Sequence, residues 1–403
     1  MASKPEQITT SSADKTTGPP SPVPLADPLA VVGTRKSLLA RIQTDLAIRA
    51  VEDAYPEYRG RIGVKGLDPL GDRDKVTPLW DFTASSNEAV SSQVAGAPKP
   101  SQSDAKGLWT EELEELLEKG EVDFVVHSLK DIPTTLPPQF TLAAILKRAD
   151  ARDALVVHPE LLKHLHATGV QQPSLSDLPK GSIVGTSSLR RSAQLLRAHV
   201  HLQFEPLRGN VPTRLRKLDE SVIDIPGATA PAAGTEDTTE SAGTKAHPPF
   251  SAIIIATAGL DRLSLSDRIT SRLSHSNGGM LHAVGQGAIG IEARAGDARI
   301  LKLLEAIACK QTTLACTVER ALLRTLEGGC SVPIGVETRW VAEGTLHVRA
   351  SVVSVDGTEA VETEETAQVE TVEEAEALGS AIAGTLRDQG AQKILEKIII
   401  ARR

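Results

Sequence analysis

The sequence predicts an α/β fold of two lobes with mixed sheets, followed by a small C-terminal α+β domain. Two observations lead to this prediction. Up to residue 327, short apolar runs alternate with helical patterns, which is typical of parallel or mixed sheets covered by helices. Beyond residue 345, apolar residues alternate with a period of two, as they do in half-buried antiparallel strands.

The elements of the first lobe are assigned from apolar runs and helix-end signals. The run LAVVG at 29–33 predicts a buried strand that leads into the helix SLLARIQTDLAIRAV. The segment TEELEELLEKG at 110–120 has acids in its first turn, a lysine in its last turn and a terminal glycine, which predicts a helix. The run VDFVV at 122–126 predicts the next strand.

The second lobe shows the same alternation. The strand SIVG at 182–185 leads into the helix SLRRSAQLLRAH, and AIIIAT at 252–257 predicts a third core strand. Residues 299–327 form a strongly helical pattern.

The C-terminal domain combines strands with one capped helix. The strand HVRASVVSV at 347–355 and the segment 358–370 alternate in hydrophobicity. Thr371 and Glu374 then predict a capping box for a helix that stops near Gly390.

Three segments rich in Pro, Ser, Thr, Ala and Gly separate these patterns. They are a disordered tail at 1–28 and two inserted surface loops at 84–106 and 226–249. Such compositions bury too little apolar surface to offset the entropy of ordering the chain.

Composition excludes several classes of protein. The chain has 44 basic and 52 acidic residues, a net charge of −8 and only 2% aromatic residues, which disfavours nucleic-acid binding. Its three cysteines cannot form a disulfide framework and favour a reducing compartment. No apolar run of membrane-spanning length occurs, so we expect a cytoplasmic protein that does not enter the membrane.

Basic residues concentrate behind a predicted anion-binding turn. Residues 190–217 contain seven basic side chains and one acid. They follow Thr186–Ser188, at a strand-to-helix turn where free N–H groups and the helix dipole attract anions. A similar turn occurs at Gly33–Ser37. We therefore expect two lobes that close on a small polyanion rich in carboxylate or phosphate.

Lys130 and Asp131 follow a predicted strand, where α/β proteins usually place their functional sites. A hydrolase triad of His127, Ser128 and Asp131 is disfavoured, because adjacent strand residues point to opposite faces and no nucleophile elbow is present.

The cysteines and histidines allow few further sites. Cys309 and Cys316 lie in a helical pattern and are expected to face the core, whereas Cys330 lies on a glycine turn that exposes its thiol. The His164/His166 and His199/His201 pairs lack a complete set of metal ligands, so solvated histidines and no metal are expected. From the residues alone, a non-catalytic binding protein for an anionic metabolite and a thiol hydrolase both remain open.

Seven strings together resemble the porphobilinogen deaminase, or hydroxymethylbilane synthase, family. They span residues 31–335 in the order VVGTRKSLLARIQTD, VDFVVHSLKDIPT, GTSSLRRSAQLLR, LRGNVPTRLRKLDE, AIIIATAGLDRL, HAVGQGAIGIEAR and ERALLRTLEGGCSVPIG. The resemblance implies lobes like those of periplasmic binding proteins. It implies a first lobe of residues 29–148 and 285–308, a second of 149–284, and a cofactor-bearing domain of 309–403.

The resemblance also implies the reaction and its residues. Four porphobilinogen molecules would be deaminated and joined head to tail into hydroxymethylbilane, a step in haem biosynthesis, by a monomer whose Cys330 carries a dipyrromethane through a thioether. Asp131 and Lys130 match the catalytic positions. The cofactor-binding positions are Asp131, Lys130, Thr186, Ser187, Ser188, Arg190, Arg191, Gly209 and Arg214. The substrate-binding positions are Arg35, Ser37, Gln43, Arg208, Arg214, Arg262, Gln286 and Gly287.

Overall fold

The computed structural model describes residues 28–68, 107–225, 248–326 and 332–400. Nearly all of the predicted tail 1–28 and of the loop 226–249, the whole loop 84–106, and Cys330 lie outside these described residues.

The described strands and helices are numbered here in chain order. The strands are β1 (Ala30–Arg35), β2 (Ile62–Leu67), β3 (Phe124–Ser128), β4 (Phe140–Ile145), β5 (Asp153–Val157), β6 (Ile183–Gly185), β7 (Gln203–Glu205), β8 (Ala252–Ala256), β9 (Ser271–Leu273), β10 (Ile289–Arg294), β11 (Ile334–Ala342), β12 (Thr345–Val353) and β13 (Ala360–Gln368). The helices are α1 (Leu38–Ala54), α2 (Gly107–Glu118), α3 (Pro159–Ala167), α4 (Leu189–Ala198), α5 (Val211–Asp219), α6 (Thr257–Arg262), α7 (Ala298–Glu305), α8 (Lys310–Thr325), α9 (Val372–Asp388) and α10 (Ala391–Ile400).

Two mixed five-stranded sheets form the first two lobes, as predicted. The first has the order β2-β1-β3-β10-β4 and the second β7-β6-β8-β5-β9. In the first sheet, β1 is parallel to β2 and β3, while β10 runs antiparallel to β3 and β4. The chain therefore leaves the first sheet after β4, builds the second, and returns to the first through β10.

Helix α1 shows why a lobe closes on one face of its sheet. Its buried residues include Ala40, Thr44, Ala47 and Val51, a stripe with helical spacing. Ala47 and Val51 pack against strand and helix residues that include Ile300 of α7. This packing fixes the start of α1, and with it the turn that follows β1.

The C-terminal domain is α+β, as predicted. Its antiparallel sheet has the order β11-β12-β13, and residues of α8, α9 and α10 share one apolar core with it. The predicted capping box is confirmed, because Thr371 accepts from the Glu374 N–H and Glu374 accepts from the Thr371 N–H. The predicted domain boundaries at 148, 284 and 308 stay predictions.

Two expectations about individual residues are wrong. Cys316 is buried, but Cys309 is half-buried and immediately precedes α8, because the predicted helical region 299–327 breaks between α7 and α8. His199 is buried rather than solvated, with Nε2 at 3.3 Å from the Gly278 carbonyl oxygen. That carbonyl belongs to a segment distant in sequence, so helical spacing gave no sign of the contact.

Candidate active site

The end of strand β3 presents Lys130 and Asp131 in a single 3-10 turn, Leu129–Asp131. Leu129 is buried and anchors this turn. An Asp131 carboxylate oxygen lies 3.9 Å from an Arg35 guanidinium nitrogen, so the ends of β3 and the neighbouring β1 bring the two side chains together. Both side chains keep partial solvent access, at 31% for Asp131 and 22% for Arg35.

Lys130 has an unusual electrostatic environment. Burial lowers the pKa of its ammonium, and nearby Arg191 and Arg214 lower it further, whereas Asp131 and Asp153 act in the opposite direction. Within the described part of the chain, its Nζ makes no hydrogen bond. Lys130 is thus a cation held near other cations, an arrangement that an incoming anion would stabilise.

The predicted anion-binding turn lies before helix α4. Ser188 is the N-cap residue of α4. The Ser188 backbone N–H donates a hydrogen bond to the Thr186 hydroxyl at 3.2 Å. The Ser187 hydroxyl oxygen is buried and has no hydrogen-bond partner among the described residues. Buried hydroxyls are usually paired, so Ser187 is available to a ligand at this turn.

Arg190 and Arg191 do not present open guanidinium groups. Arg190 donates to one Asp153 oxygen at 2.7 Å, and Arg191 donates to the other from two nitrogens at 3.0 and 2.6 Å. Arg190 also donates to the Leu281 carbonyl at 2.6 Å, and Arg191 also donates to the Ile254 carbonyl at 2.9 Å. Both arginines are buried, and much of their donor capacity is already used inside the protein.

Arg214 supplies a less neutralised cation. Its Nε donates to the Gly209 carbonyl at 2.7 Å. Burial, together with Arg191 and Arg208, lowers its pKa to about 10. Gly209 has a φ of 117°, and a Cβ there would lie 2.7 Å from Thr213, so this turn requires glycine.

Three of the predicted substrate-binding residues lie at the end of α6 or in the return crossover, which is the segment between β9 and β10 that leads back to the first sheet. Gln286 is buried and donates to Asp153 at 3.0 Å, while Arg262 donates to the Gly287 carbonyl at 2.7 Å. Gly287 has a φ of 83°, and a Cβ there would lie 2.7 Å from the Ala149 carbonyl oxygen. Gln286 also donates to the Ala151 carbonyl at 2.7 Å, so the return crossover is held against the outgoing crossover, which is the segment between β4 and β5.

Two more of the predicted substrate-binding residues lie in or beside helix α1. Ser37 caps α1, and its hydroxyl accepts from the Ala40 N–H at 3.3 Å. The Gln43 amide nitrogen donates to the Ser128 hydroxyl at 2.9 Å. Gln43 therefore supports the β3 end that precedes Lys130.

The charges of this region do not balance internally. Two carboxylates, Asp131 and Asp153, are connected by ion pairs and electrostatic contacts to five cations: Arg35, Lys130, Arg190, Arg191 and Arg214. A partly buried excess of cations is costly in the absence of anions. Together with the unpartnered Ser187 hydroxyl, it fits a ligand with several carboxylates.

The structure does not support the hydrolase triad of His127, Ser128 and Asp131. Ser128 faces Gln43, whereas His127 points to the opposite face of the strand and lies 3.7 Å from Glu292. Ser128 and His127 therefore cannot form a nucleophile–base pair.

Asp153 and Glu292 have important contacts that the sequence patterns did not reveal. Asp153 is 37 residues from Arg190, and Glu292 contacts a strand 165 residues earlier in the chain. No local spacing predicts such contacts; a buried carboxyl group at a strand position was the only available signal.

The described residues place limits on two other kinds of site. They contain no group of three or more His, Cys, Asp or Glu side chains arranged to hold a metal ion. Among the helices in these ranges, none is both long and apolar enough to cross a membrane.

Comparisons with known proteins identify the family. Residues 30–302 match the model "Porphobilinogen deaminase, dipyromethane cofactor binding domain", and residues 313–388 match "Porphobilinogen deaminase, C-terminal domain". The porphobilinogen deaminase of Yarrowia lipolytica is 45% identical over 92% of this chain and 94% of its own length. Those of Neurospora crassa and Saccharomyces cerevisiae are each 42% identical, over 91% and 92% of this chain and 92% and 97% of their own lengths.

Among solved structures, a TRAP periplasmic solute binding protein from Desulfovibrio salexigens is 10% identical, with a TM-score of 0.33, over 71% of this chain and 74% of its own. That similarity is too low to assign a function. The two family models and the curated relatives are sufficient, and the chain belongs to the porphobilinogen deaminase family of transferases, the hydroxymethylbilane synthases, which use a dipyrromethane cofactor.

Proposed function

We propose that the cation-rich region around Lys130 and Asp131 is where this chain joins four porphobilinogen molecules into hydroxymethylbilane for haem biosynthesis. The observation that carries this assignment is the excess of cations around the Asp131 carboxylate. Each porphobilinogen brings an acetate and a propionate, so the bound chain gains two carboxylates at every addition. The surrounding arginines and Lys130 would supply the opposite charge.

Asp131 is the proposed catalytic carboxylate. Positive charge develops on the substrate when ammonia leaves, and again when the next pyrrole attacks. A carboxylate about 4 Å from such a charge contributes about 4 kcal/mol at an effective dielectric constant near 20. If that interaction forms mainly in the transition state, it accelerates the reaction about a thousandfold. Asp131 keeps 31% exposure, so it can also exchange protons with solvent.

Lys130, Ser187 and Arg214 are the proposed direct contacts of the dipyrromethane, with Cys330 as its covalent attachment point. The cofactor supplies the pyrrole that primes chain growth. The Ser187 hydroxyl has no hydrogen-bond partner among the described residues, Lys130 lies beside the cations Arg191 and Arg214, and Arg214 is incompletely neutralised. The remaining proposed contacts surround them: Asp131, Thr186, Ser188, Arg190, Arg191 and Gly209.

The proposed substrate contacts fall into two groups. Arg35, Arg208 and Arg214 belong to the charged cluster, so we assign them to substrate carboxylates. Ser37, Gln43, Arg262, Gln286 and Gly287 form contacts within the protein, so we assign them to shaping the substrate site.

The same proposal includes a cytoplasmic monomer that requires no nucleic acid, membrane or metal. It is consistent with an acidic chain that has three cysteines and few aromatic residues. A non-catalytic binding protein for an anionic metabolite would use the same arginines, but it would need neither Asp131 nor a reactive Cys330.

Asp131→Asn tests the catalytic assignment because it removes the charge and keeps the shape. We expect normal folding and a normal covalent adduct at Cys330, with turnover of porphobilinogen about a thousandfold lower. Asp45→Asn, at an exposed position on α1 of the same lobe, is the matched control. Intact mass and peptide mapping before and after porphobilinogen addition measure the adduct. Near-normal turnover of Asp131→Asn would refute the role, and an unmodified Cys330 in wild-type protein would favour the binding-protein alternative.

A further inference from the structure

We propose that Asp153 is a positioning residue for the reaction: it holds Arg190 and Arg191 in fixed orientations and balances their charge beside Lys130. This inference rests on the proposed function, because it takes Lys130 as part of the working site. Asp153 lies outside the sequence motifs that revealed the other residues of the site.

The backbone of Asp153 is held on both sides. It is the first residue of β5, an inner strand of the second sheet, and its register partners are Ala256 in β8 and Leu273 in β9. Its side chain has 0% exposure. The carboxylate therefore has a fixed position relative to helix α4, which carries both arginines.

The carboxylate accepts hydrogen bonds from three side chains. One oxygen accepts from Arg190, and the other accepts from two Arg191 nitrogens and from Gln286 at 3.0 Å. Gln286 comes from the return crossover to the first lobe. Asp153 thus orients both guanidinium groups and links them to the segment that connects the lobes.

The orientation is locked from a second direction. Arg190 also donates to the Leu281 carbonyl, and Arg191 also donates to the Ile254 carbonyl. Because Asp153 binds each guanidinium as well, neither arginine is free to reorient toward a moving ligand. Their role is therefore that of fixed charges, while Lys130 and Arg214 keep donors available.

The charge of Asp153 also reaches Lys130. The charged groups around the Lys130 ammonium are Asp131 on its own turn, Asp153 on β5, Arg191 on α4 and Arg214 on α5. Without the Asp153 charge, two cations face Lys130 and only Asp131 opposes them. The loss of that charge should lower the pKa of Lys130, so that Lys130 loses its proton at a lower pH.

Asp153→Asn removes this charge with little change in shape. We expect the pH at which Lys130 becomes reactive toward acetic anhydride, followed by peptide mass mapping, to fall by about one unit. The alkaline limb of the pH profile of kcat/KM should move in the same direction. Asp150→Asn is the matched control, because Asp150 pairs with Arg152 and Arg272 at 2.6 and 3.3 Å but is not among the charges around Lys130.

The proposal would be overturned if the midpoint pH of Lys130 labelling were the same in Asp153→Asn as in Asp150→Asn. If Asp153→Asn does not fold, Asp153→Glu provides the test, since it retains the charge and displaces the carboxylate by one methylene. It should leave the labelling midpoint unchanged and raise KM severalfold; a shifted midpoint or an unchanged KM would overturn the positioning role. Failure of the proposed function would instead appear as normal turnover by Asp131→Asn.

Discussion

The buried pair His127 and Glu292 makes folding stability depend on pH, and Glu292→Gln tests the size of this effect. Glu292 has 0% exposure, and both its carboxylate oxygens lack hydrogen-bond partners within the described residues. Burial, reinforced by Glu114 and opposed by Arg320, raises its pKa to about 8. Burial, with Arg35 nearby, lowers the pKa of His127 to about 3.

The sign of the Glu292 effect follows from proton binding. Above its ordinary pKa of 4.5, the unfolded chain releases the Glu292 proton, whereas the folded chain keeps it up to about pH 8. Stability is therefore lost as pH rises through this window. Between about pH 5 and 7.5 the loss amounts to about 3 kcal/mol, at about 1.4 kcal/mol per pH unit.

His127 contributes with the opposite sign. Its folded-state pKa is depressed, so its contribution to stability is present above its ordinary value of 6.5 and is lost as pH falls toward about 3. His127 is present in both wild type and Glu292→Gln. The difference between their free energies of unfolding therefore removes most of the His127 contribution and isolates that of Glu292.

Urea unfolding of both proteins at pH 5 and pH 7.5 measures the difference. The free energy of unfolding of Glu292→Gln minus that of wild type should be about 3 kcal/mol higher at pH 7.5 than at pH 5. Any constant effect of the amide itself cancels in this comparison. Glu118→Gln, at an exposed position on α2, is the control and should stay within about 1 kcal/mol of wild type at both pH values. A wild-type-minus-variant difference that does not change with pH would refute the reasoning.

Two structural predictions concern the crossovers between the lobes. Arg148→Met removes one partner of the buried Arg148–Glu319 pair, with N–O distances of 2.6 and 3.0 Å, and should lower the free energy of unfolding by about 3–5 kcal/mol. Adding Glu319→Leu should recover part of that loss in the same denaturation assay; no recovery would contradict an unpaired-charge origin. Gly287→Ala should cost about 2 kcal/mol, because φ is 83° and the new Cβ would lie 2.7 Å from the Ala149 carbonyl. Gly296→Ala, where a Cβ has no heavy atom within 4 Å and φ is not positive, is the control and should cost less than half as much in thermal unfolding.

Local patterns predicted the elements of this fold because each depends on neighbouring residues. The Thr371–Glu374 capping box and the turn before α4 involve residues close in sequence, and both appear in the structure. The Lys130–Asp131 turn is similarly local, because it follows directly from the end of β3.

Contacts between distant segments were beyond the reach of the same patterns. The sequence placed Arg190 and Arg191 behind an anion-binding turn, but it gave no sign of their partner Asp153, which lies in strand β5. Cys309 was expected to face the core because one helical pattern concealed the break between α7 and α8. In each case, a tertiary contact or a chain break changed the environment without changing the local pattern.

Helix α8 of the C-terminal domain contacts both the crossovers between the lobes and the backbone that follows Asp131. Glu319 accepts from the Arg148 guanidinium and from the Gly285 N–H at 2.8 Å, so it joins the outgoing and returning crossovers. The next residue, Arg320, donates to the carbonyls of Ile132 and Pro133 at 3.3 and 2.6 Å, directly after Asp131. Consecutive residues of one helix thus hold the crossovers and the backbone beside the proposed catalytic carboxylate. Because α8 ends five residues before Cys330 in the sequence, these contacts fix the origin of the segment that carries the proposed attachment point relative to Asp131.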